Sequence, residues 1–289
     1  TCWRSEAEPV QTSPAVVVGI DGSRFATAAA IWAIDEAASR DIPLRLVHAV
    51  TPTDGAHLDA DDLARAGRVV QSAVAAVEAN GKPVKVETQI TPGRAAHVLR
   101  SQSRDASMLC VGSSGLTHGG SGPVDRTAAA VALTASCPVA IIHSAGTNSK
   151  PGWVVVEVND SPAGELVLRT GVEEALLRGA ALRVVATWPS RYPDIHDDGA
   201  VANKNRSVKA QWERRLAPWR LRHPELEVHA VATPGSILNY LARHRDPIGL
   251  AIVPHERAAG VAELLAPRGR DPLRDGCFDV LICEPDNAP

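Results

Sequence analysis

The chain lacks any long hydrophobic run. Nowhere in its 289 residues is there a stretch approaching the ~20 apolar residues that a membrane-crossing helix needs. Residues 1–14 hold no basic segment followed by an apolar one; this polar, mixed-charge stretch reads as a disordered lead-in rather than a secretion signal. An excess of one charge is missing too. The net charge is −3 and each half is near parity, so no basic patch points to nucleic acid. Cysteine is sparse and unpatterned: the five residues Cys2, Cys110, Cys137, Cys277 and Cys283 are odd in number and show no Cys-x-x-Cys spacing. That argues against a disulfide framework or a zinc site and for a reduced, cytoplasmic chain. Cys110 and Cys283 lie inside apolar runs, where thiols serve as small hydrophobes.

Catalytic signatures are absent as well. Gly112-Ser113-Ser114-Gly115 lacks the spacing of a nucleophile elbow. No Walker-type lysine follows the glycine-rich stretch, and there is no His-Glu-x-x-His. His48, His97 and His118 are isolated histidines, a kind that generally serves structure or surface. The expectation is a protein that is not an enzyme.

What is present is a globular composition, 45% hydrophobic and 22% charged, at a length that suggests about two domains. Val111 to Gly122 contains five glycines; it follows an apolar run and precedes an alanine-rich helical pattern. A strand, a glycine-rich turn and a helix together present backbone N–H groups to phosphate. Ala15 to Ile20 is a β-branched run typical of a strand buried on both faces of a parallel sheet. Helical periodicity follows over 26–39 and 59–80, and strand patterns over 44–50, 84–90, 108–111 and 139–143. A short helix is predicted over 94–101 and another after Asp125. The alternation predicts an α/β, doubly wound, five-stranded parallel sheet.

The same order recurs after a polar stretch at 147–152. Strand patterns fall at 153–158, 181–187, 226–232, 248–253 and 278–283, with helices at 165–177 and 203–223. Thr91-Pro92-Gly93 is restated as Thr233-Pro234-Gly235 before the third helix of each string. A tandem duplication is the expected reading, with a first domain over 15–146, a linker over 147–152 and a second domain over 153–289. The last strands of the two domains are equivalent edges, so they are expected to pair about a pseudo-two-fold axis as an intramolecular pseudo-dimer. A homodimer is left open.

The first half resembles the universal stress protein family in Val16-Val17-Val18-Gly19-Ile20-Asp21-Gly22-Ser23, in Leu46-Val47-His48-Ala49-Val50, in Val111 to Leu116, and in Cys137-Pro138-Val139-Ala140-Ile141-Ile142. The resemblance implies a stress-response regulator whose two tandem domains have the adenine nucleotide alpha hydrolase-like fold. It also implies ATP binding, with Mg²⁺ as an accompanying ion, at Asp21, Gly22, Ser23, Ala49, Val111, Gly112, Gly115, Asp125 and Arg126. Asp21 stands where the family contacts adenosine, although Asp-Gly is also a common turn pair. Ala49 would offer main-chain groups to the adenine edge. The family's phosphate loop, Gly-x2-Gly-x9-Gly-Ser/Thr, is matched by Gly112 and Gly115 but has Asp125-Arg126 where Gly-Ser belongs. A carboxylate there repels phosphate unless Arg126 or a metal offsets it, or else Asp125 is simply the cap of the next helix. Gly119, Gly120 and Gly122 offer another register for the cradle.

In the second half Glu157, Asn159 and Asp160 replace Gly19, Asp21 and Gly22, and Pro254-His255-Glu256-Arg257 replaces the loop glycines. Proline and bulky side chains cannot form a backbone cradle. This half is expected to keep the fold and lose the site, with 255–257 as a solvated charged loop. The alternative to a nucleotide-binding regulator is a protein-interaction scaffold that binds no nucleotide.

Overall fold

The computed structural model describes residues 14–52, 58–113, 126–143, 152–189, 198–244, 247–265 and 278–283. Its first half runs β1 (Ala15–Gly19), α1 (Arg24–Ser39), β2 (Leu44–Val50), α2 (Ala60–Glu78), β3 (Val86–Pro92), α3 (Ala95–Gln102), β4 (Ala106–Gly112), α4 (Arg126–Thr134) and β5 (Val139–Ile142). The second half repeats the order as β6 (Trp153–Val158), α5 (Pro162–Arg178), β7 (Leu182–Trp188), α6 (Asp198–Arg222), β8 (Val228–Pro234), α7 (Ile237–Arg243), β9 (Ile248–Pro254), α8 (Ala258–Leu265) and β10 (Asp279–Cys283). A 3-10 turn, His255–Arg257, leads from β9 into α8.

The strands form one sheet in the order β3-β2-β1-β4-β5-β10-β9-β6-β7-β8. The two five-stranded parallel halves expected from the sequence are both present, joined in one continuous sheet. The expected pairing of the two last strands is what fuses them, with Val280 opposite Ile141, Leu281 opposite Ala140 and Ile282 opposite Val139 in antiparallel register. Every other strand pairing is parallel.

Side chains alternate between two apolar layers because successive strand residues face opposite sides of a sheet. Val16, Val18, Leu44 and Leu46 meet α1 and α2 on one face, where Val154, Val156, Leu182 and Val184 meet α5 and α6. The opposite face packs Val17, Val47 and Val111 against α3 and α4, and Val155, Val185 and Val253 against α7 and α8. Local chemistry sets the helix starts. Ser23, Asp59 and Ser161 cap α1, α2 and α5, each accepting a backbone N–H from the first turn. Glycine is needed in both copies of Thr-Pro-Gly, since Gly93 and Gly235 sit at φ +133° and +80°. Gly81, expected at the end of α2, lies beyond the Ala79 cap.

The junction of the halves carries a buried charge cluster that sequence reading passes over. Glu36 on α1 and Glu174 on α5 are 0% and 1% exposed. Each is paired with the arginine four residues on, Arg40 for Glu36 at 2.6 Å and Arg178 for Glu174. Crossed bonds join the halves: Arg178 Nη2 donates to Glu36 Oε1 at 2.8 Å, and Arg40 Nη2 lies 3.9 Å from Glu174 Oε1. Arg178 also lies over the Trp32 ring, 4.5 Å from its centre. Burial, followed by the neighbouring Glu36 charge, pushes the Glu174 carboxyl up to about 8, against the pull of Arg178. At the end of β5, the His143 backbone N–H donates to Asp279 Oδ1 at 2.9 Å, and burial pushes its imidazole down to about 4.

These two groups act with opposite sign. Glu174 holds its proton more tightly when folded, so its contribution is complete below the ordinary 4.5 and is lost as pH rises towards about 8. His143 contributes fully only above its ordinary 6.5. Between about pH 6.5 and 8 the Glu174 effect stands alone, and urea-unfolding stability is expected to fall by up to ~1.4 kcal/mol per pH unit. Glu174→Gln should flatten that slope. Wild-type stability that rises across this window would refute the assignment.

Candidate functional site

The strand order places β1 and β4 side by side in the middle of the first half, where the winding reverses: β2 and β3 lie outside β1, and β5 outside β4. Open α/β sheets gather ligands beyond the carboxyl ends of the strands at such a reversal. Asp21, Gly22 and Ser23 follow β1 there. Asp21 Oδ1 accepts the Ser23 N–H at 2.8 Å, Gly22 turns the chain at φ +85°, and Ser23 Oγ accepts the Ala26 N–H at 3.1 Å. Asp21 thus makes the turn bond that an Asp-Gly pair commonly makes. His48 is structural as well, its Nδ1 lying 2.7 Å from the Ile20 carbonyl. It ties β2 to the residue before Asp21. His97 is exposed on α3, and His118 lies outside the described residues.

Ala49 is half-buried near the end of β2. The Val47 carbonyl accepts the Ile20 N–H and the Val50 carbonyl accepts the Gly93 N–H, so odd-numbered positions face β1 and even-numbered ones β3. The Ala49 main chain therefore faces the β1 side, one step beyond the Val47 contact. Val111 is a buried residue of β4 in the α3–α4 layer; its side chain is core, so only its main chain remains for a ligand. Gly112 ends β4 against the start of α1. A Cβ there would stand 2.6 Å from the Phe25 carbonyl carbon and 2.8 Å from the Ala26 nitrogen. Ser113 is buried, its N–H bonded to the Ile142 carbonyl at 2.8 Å. Gly115 and Asp125 lie outside the described residues. Arg126 is the first residue of α4, and its side chain is likewise outside the described set.

At the equivalent reversal of the second half, between β6 and β9, the chemistry differs. Glu157, standing where Gly19 stands in β1, is 2% exposed. Arg257 clamps it with Nε 3.0 Å from Oε2 and Nη2 2.9 Å from Oε1. Thr187, at the β7 position equivalent to Ala49, adds a hydroxyl bond to Oε1 at 3.1 Å. A solvated loop is expected over 255–257, and this is a correction: Arg257 is the counterion of a buried carboxylate. The paired departures Gly19 to Glu157 and Gly115 to Arg257 were the signal, because a new acid and a new base had appeared together. The Asn159 carboxamide keeps the turn, accepting the Ser161 N–H at 3.0 Å. Among the described residues no cluster of histidine, cysteine or carboxylate could hold a metal ion, and no helix is long and apolar enough to cross a membrane. Cys110 and Cys283 are buried, and burial pushes both thiols up, Cys283 to about 12.

Comparison with known proteins adds three findings. Residues 14–143 match the family model described as the universal stress protein family. A universal stress protein of Mycobacterium tuberculosis is 39% identical over 274 residues, covering 94% of this chain and 96% of its own. A solved universal stress protein from Archaeoglobus fulgidus superposes with TM-score 0.64 at 14% identity, covering 96% of this chain and 99% of its own.

Two substitutions test the geometry. Gly112→Ala is expected to destabilise by ~1–3 kcal/mol, because backbone rather than a mobile side-chain tip meets the new methyl. Arg257→Ala leaves Glu157 buried with, among the described residues, only the Thr187 hydroxyl as partner; because Arg257 is itself 40% exposed and solvent-screened, the loss is expected at ~1–3 kcal/mol. Chemical denaturation reads both, and a loss under ~0.5 kcal/mol in either contradicts the corresponding packing.

Proposed function

Because the chain belongs to the universal stress protein family, we propose that it is a non-catalytic regulator that takes one adenine nucleotide, ATP, in its first half. The observation that carries this reading is the contrast between the two strand reversals. Where the second half fills its reversal with the charged Glu157–Arg257–Thr187 cluster, the first half has no charge at these positions: Gly19, packed against Leu99, and Ala49. The Ala49 main chain faces the β1 side, where an adenine edge can take backbone hydrogen bonds. Asp21 approaches the ribose, and Gly112 and Gly115 approach the phosphates. The domain division follows the same line, with residues 15–146 bearing the site, 147–152 linking, and 153–289 serving as a structural partner.

A scaffold without nucleotide is the competing reading, and Asp125-Arg126 favours it. A carboxylate a few ångströms from a phosphate, at an effective dielectric near 20, is repelled by on the order of a few kcal/mol before Arg126 and ions screen it. Calorimetric titration with ATP, with and without Mg²⁺, separates the two. Weak binding by the wild-type chain is expected, tightened at least ~tenfold, or ~1.4 kcal/mol, by Asp125→Gly with Arg126→Ser, and abolished by Gly115→Glu. No binding by either the wild type or the double variant overturns the nucleotide reading. A double variant that binds more weakly assigns Arg126 to the phosphates.

A further inference from the structure

The ten-stranded sheet ends at β8, whose outer edge is guarded along only part of its length. The Leu182 N–H donates to the Glu227 carbonyl, and the Gly235 N–H to the Trp188 carbonyl. Odd-numbered positions of β8 therefore bond to β7, and Val228, Ala230, Ala232 and Pro234 turn their backbone groups outward. Two α6 side chains meet the first of these. Arg220 Nη2 donates to the Val228 carbonyl at 2.8 Å, and the Glu213 carboxylate, held below the usual carboxylate range chiefly by Arg220, lies near enough to the Ala230 N–H to be lowered further by it. Arg220 and Glu213 are themselves paired at 2.6 Å, so a cation and an anion supply the donor and the acceptor that a neighbouring strand would supply.

Beyond Ala230 this guard stops. Among the described residues no side chain caps the outward groups of Ala232. A groove of about 450 Å³ opens there, backed by residues 231–234. Val201 and Asn205 of α6 form one wall, and Tyr240, Arg243 and His244 the other. The Tyr240 and His244 rings stack with centres 4.2 Å apart, which stiffens that wall. Arg243 is exposed, and the described lining holds no carboxylate to neutralise it.

We propose that the open end of β8 is a docking site for a short extended peptide carrying acidic side chains. The peptide pairs with β8 as an added strand through Ala230 C=O and the N–H and C=O of Ala232, and its carboxylates, two residues apart and so on one face of the added strand, lie on the Arg243 side. Edge addition supplies main-chain hydrogen bonds, while the walls select side chains. Pro234, which has no N–H, ends the pairing. The site lies at the far end of the second half and does not depend on nucleotide binding in the first.

The test uses the full chain with two blocked pentapeptides, acetyl-Val-Asp-Val-Glu-Val-amide and its lysine counterpart acetyl-Val-Lys-Val-Lys-Val-amide. Calorimetric titration is expected to show binding of the acidic peptide only, with amide exchange slowed at Ala232. Ala232→Pro removes an outward N–H that β7 does not use, so the sheet should persist while affinity falls about tenfold or more. Arg243→Glu, at an exposed position that leaves the fold intact, should weaken the acidic peptide and admit the basic one. The proposal is overturned by equal binding of both peptides, by an affinity indifferent to both substitutions, or by no binding at millimolar peptide.

Discussion

The antiparallel pairing of β5 with β10 is the constraint on which the molecule depends. Each half is a parallel sheet whose last strand would otherwise present unpaired backbone groups to water or to another chain. Equivalent edges can satisfy each other only about a two-fold relation, and that relation determines everything brought to the junction. It sets α1 beside α5 on one face, and so crosses the Glu36–Arg40 and Glu174–Arg178 pairs into a single buried cluster. Net stabilisation from such buried pairs is small, because desolvation offsets most of the Coulomb attraction. Their geometry is demanding, however, and an offset of the halves would leave charges buried without partners.

Around this symmetric frame the two halves have diverged in opposite directions. Glycine and alanine at Gly19 and Ala49 become a carboxylate and a hydroxyl at Glu157 and Thr187, and an arginine arrives to neutralise the new acid. None of these changes disturbs the strands, since β6 and β7 keep the pairing of β1 and β2. The sheet places the two reversals alike, and the residues at the strand ends give each its own chemistry. The outer edge follows the same logic, with the α6 residues Glu213 and Arg220 guarding the start of β8.

Much of this was readable in advance. β-branched runs such as Val16-Val17-Val18 and the alternating helix patterns specify a parallel α/β sheet because strand burial and helix amphipathicity are local periodicities. Duplication shows in the restated Thr-Pro-Gly, whose glycine is held by a positive φ that other residues resist. The equivalent last strands could be paired in advance because each is the final strand of its string. Family membership follows from the same residues.

Tertiary structure alone decided the rest. Glu36 and Glu174 look like ordinary helix-surface acids, each with an arginine four residues on, and only the docking of the halves buries them. The sequence presented Asp21 equally as turn and as ligand contact, and the bond from the Ser23 N–H is visible only in the fold. The resemblance gave Gly112 a place in a phosphate loop, and its close approach to the α1 backbone became visible only in the fold. Arg257 looked solvated because its partner lies 100 residues away. The sequence by itself determined the elements and their order, since those depend on neighbours along the chain. The fate of each charge and each glycine was decided by the fold, because desolvation and contact depend on neighbours in space.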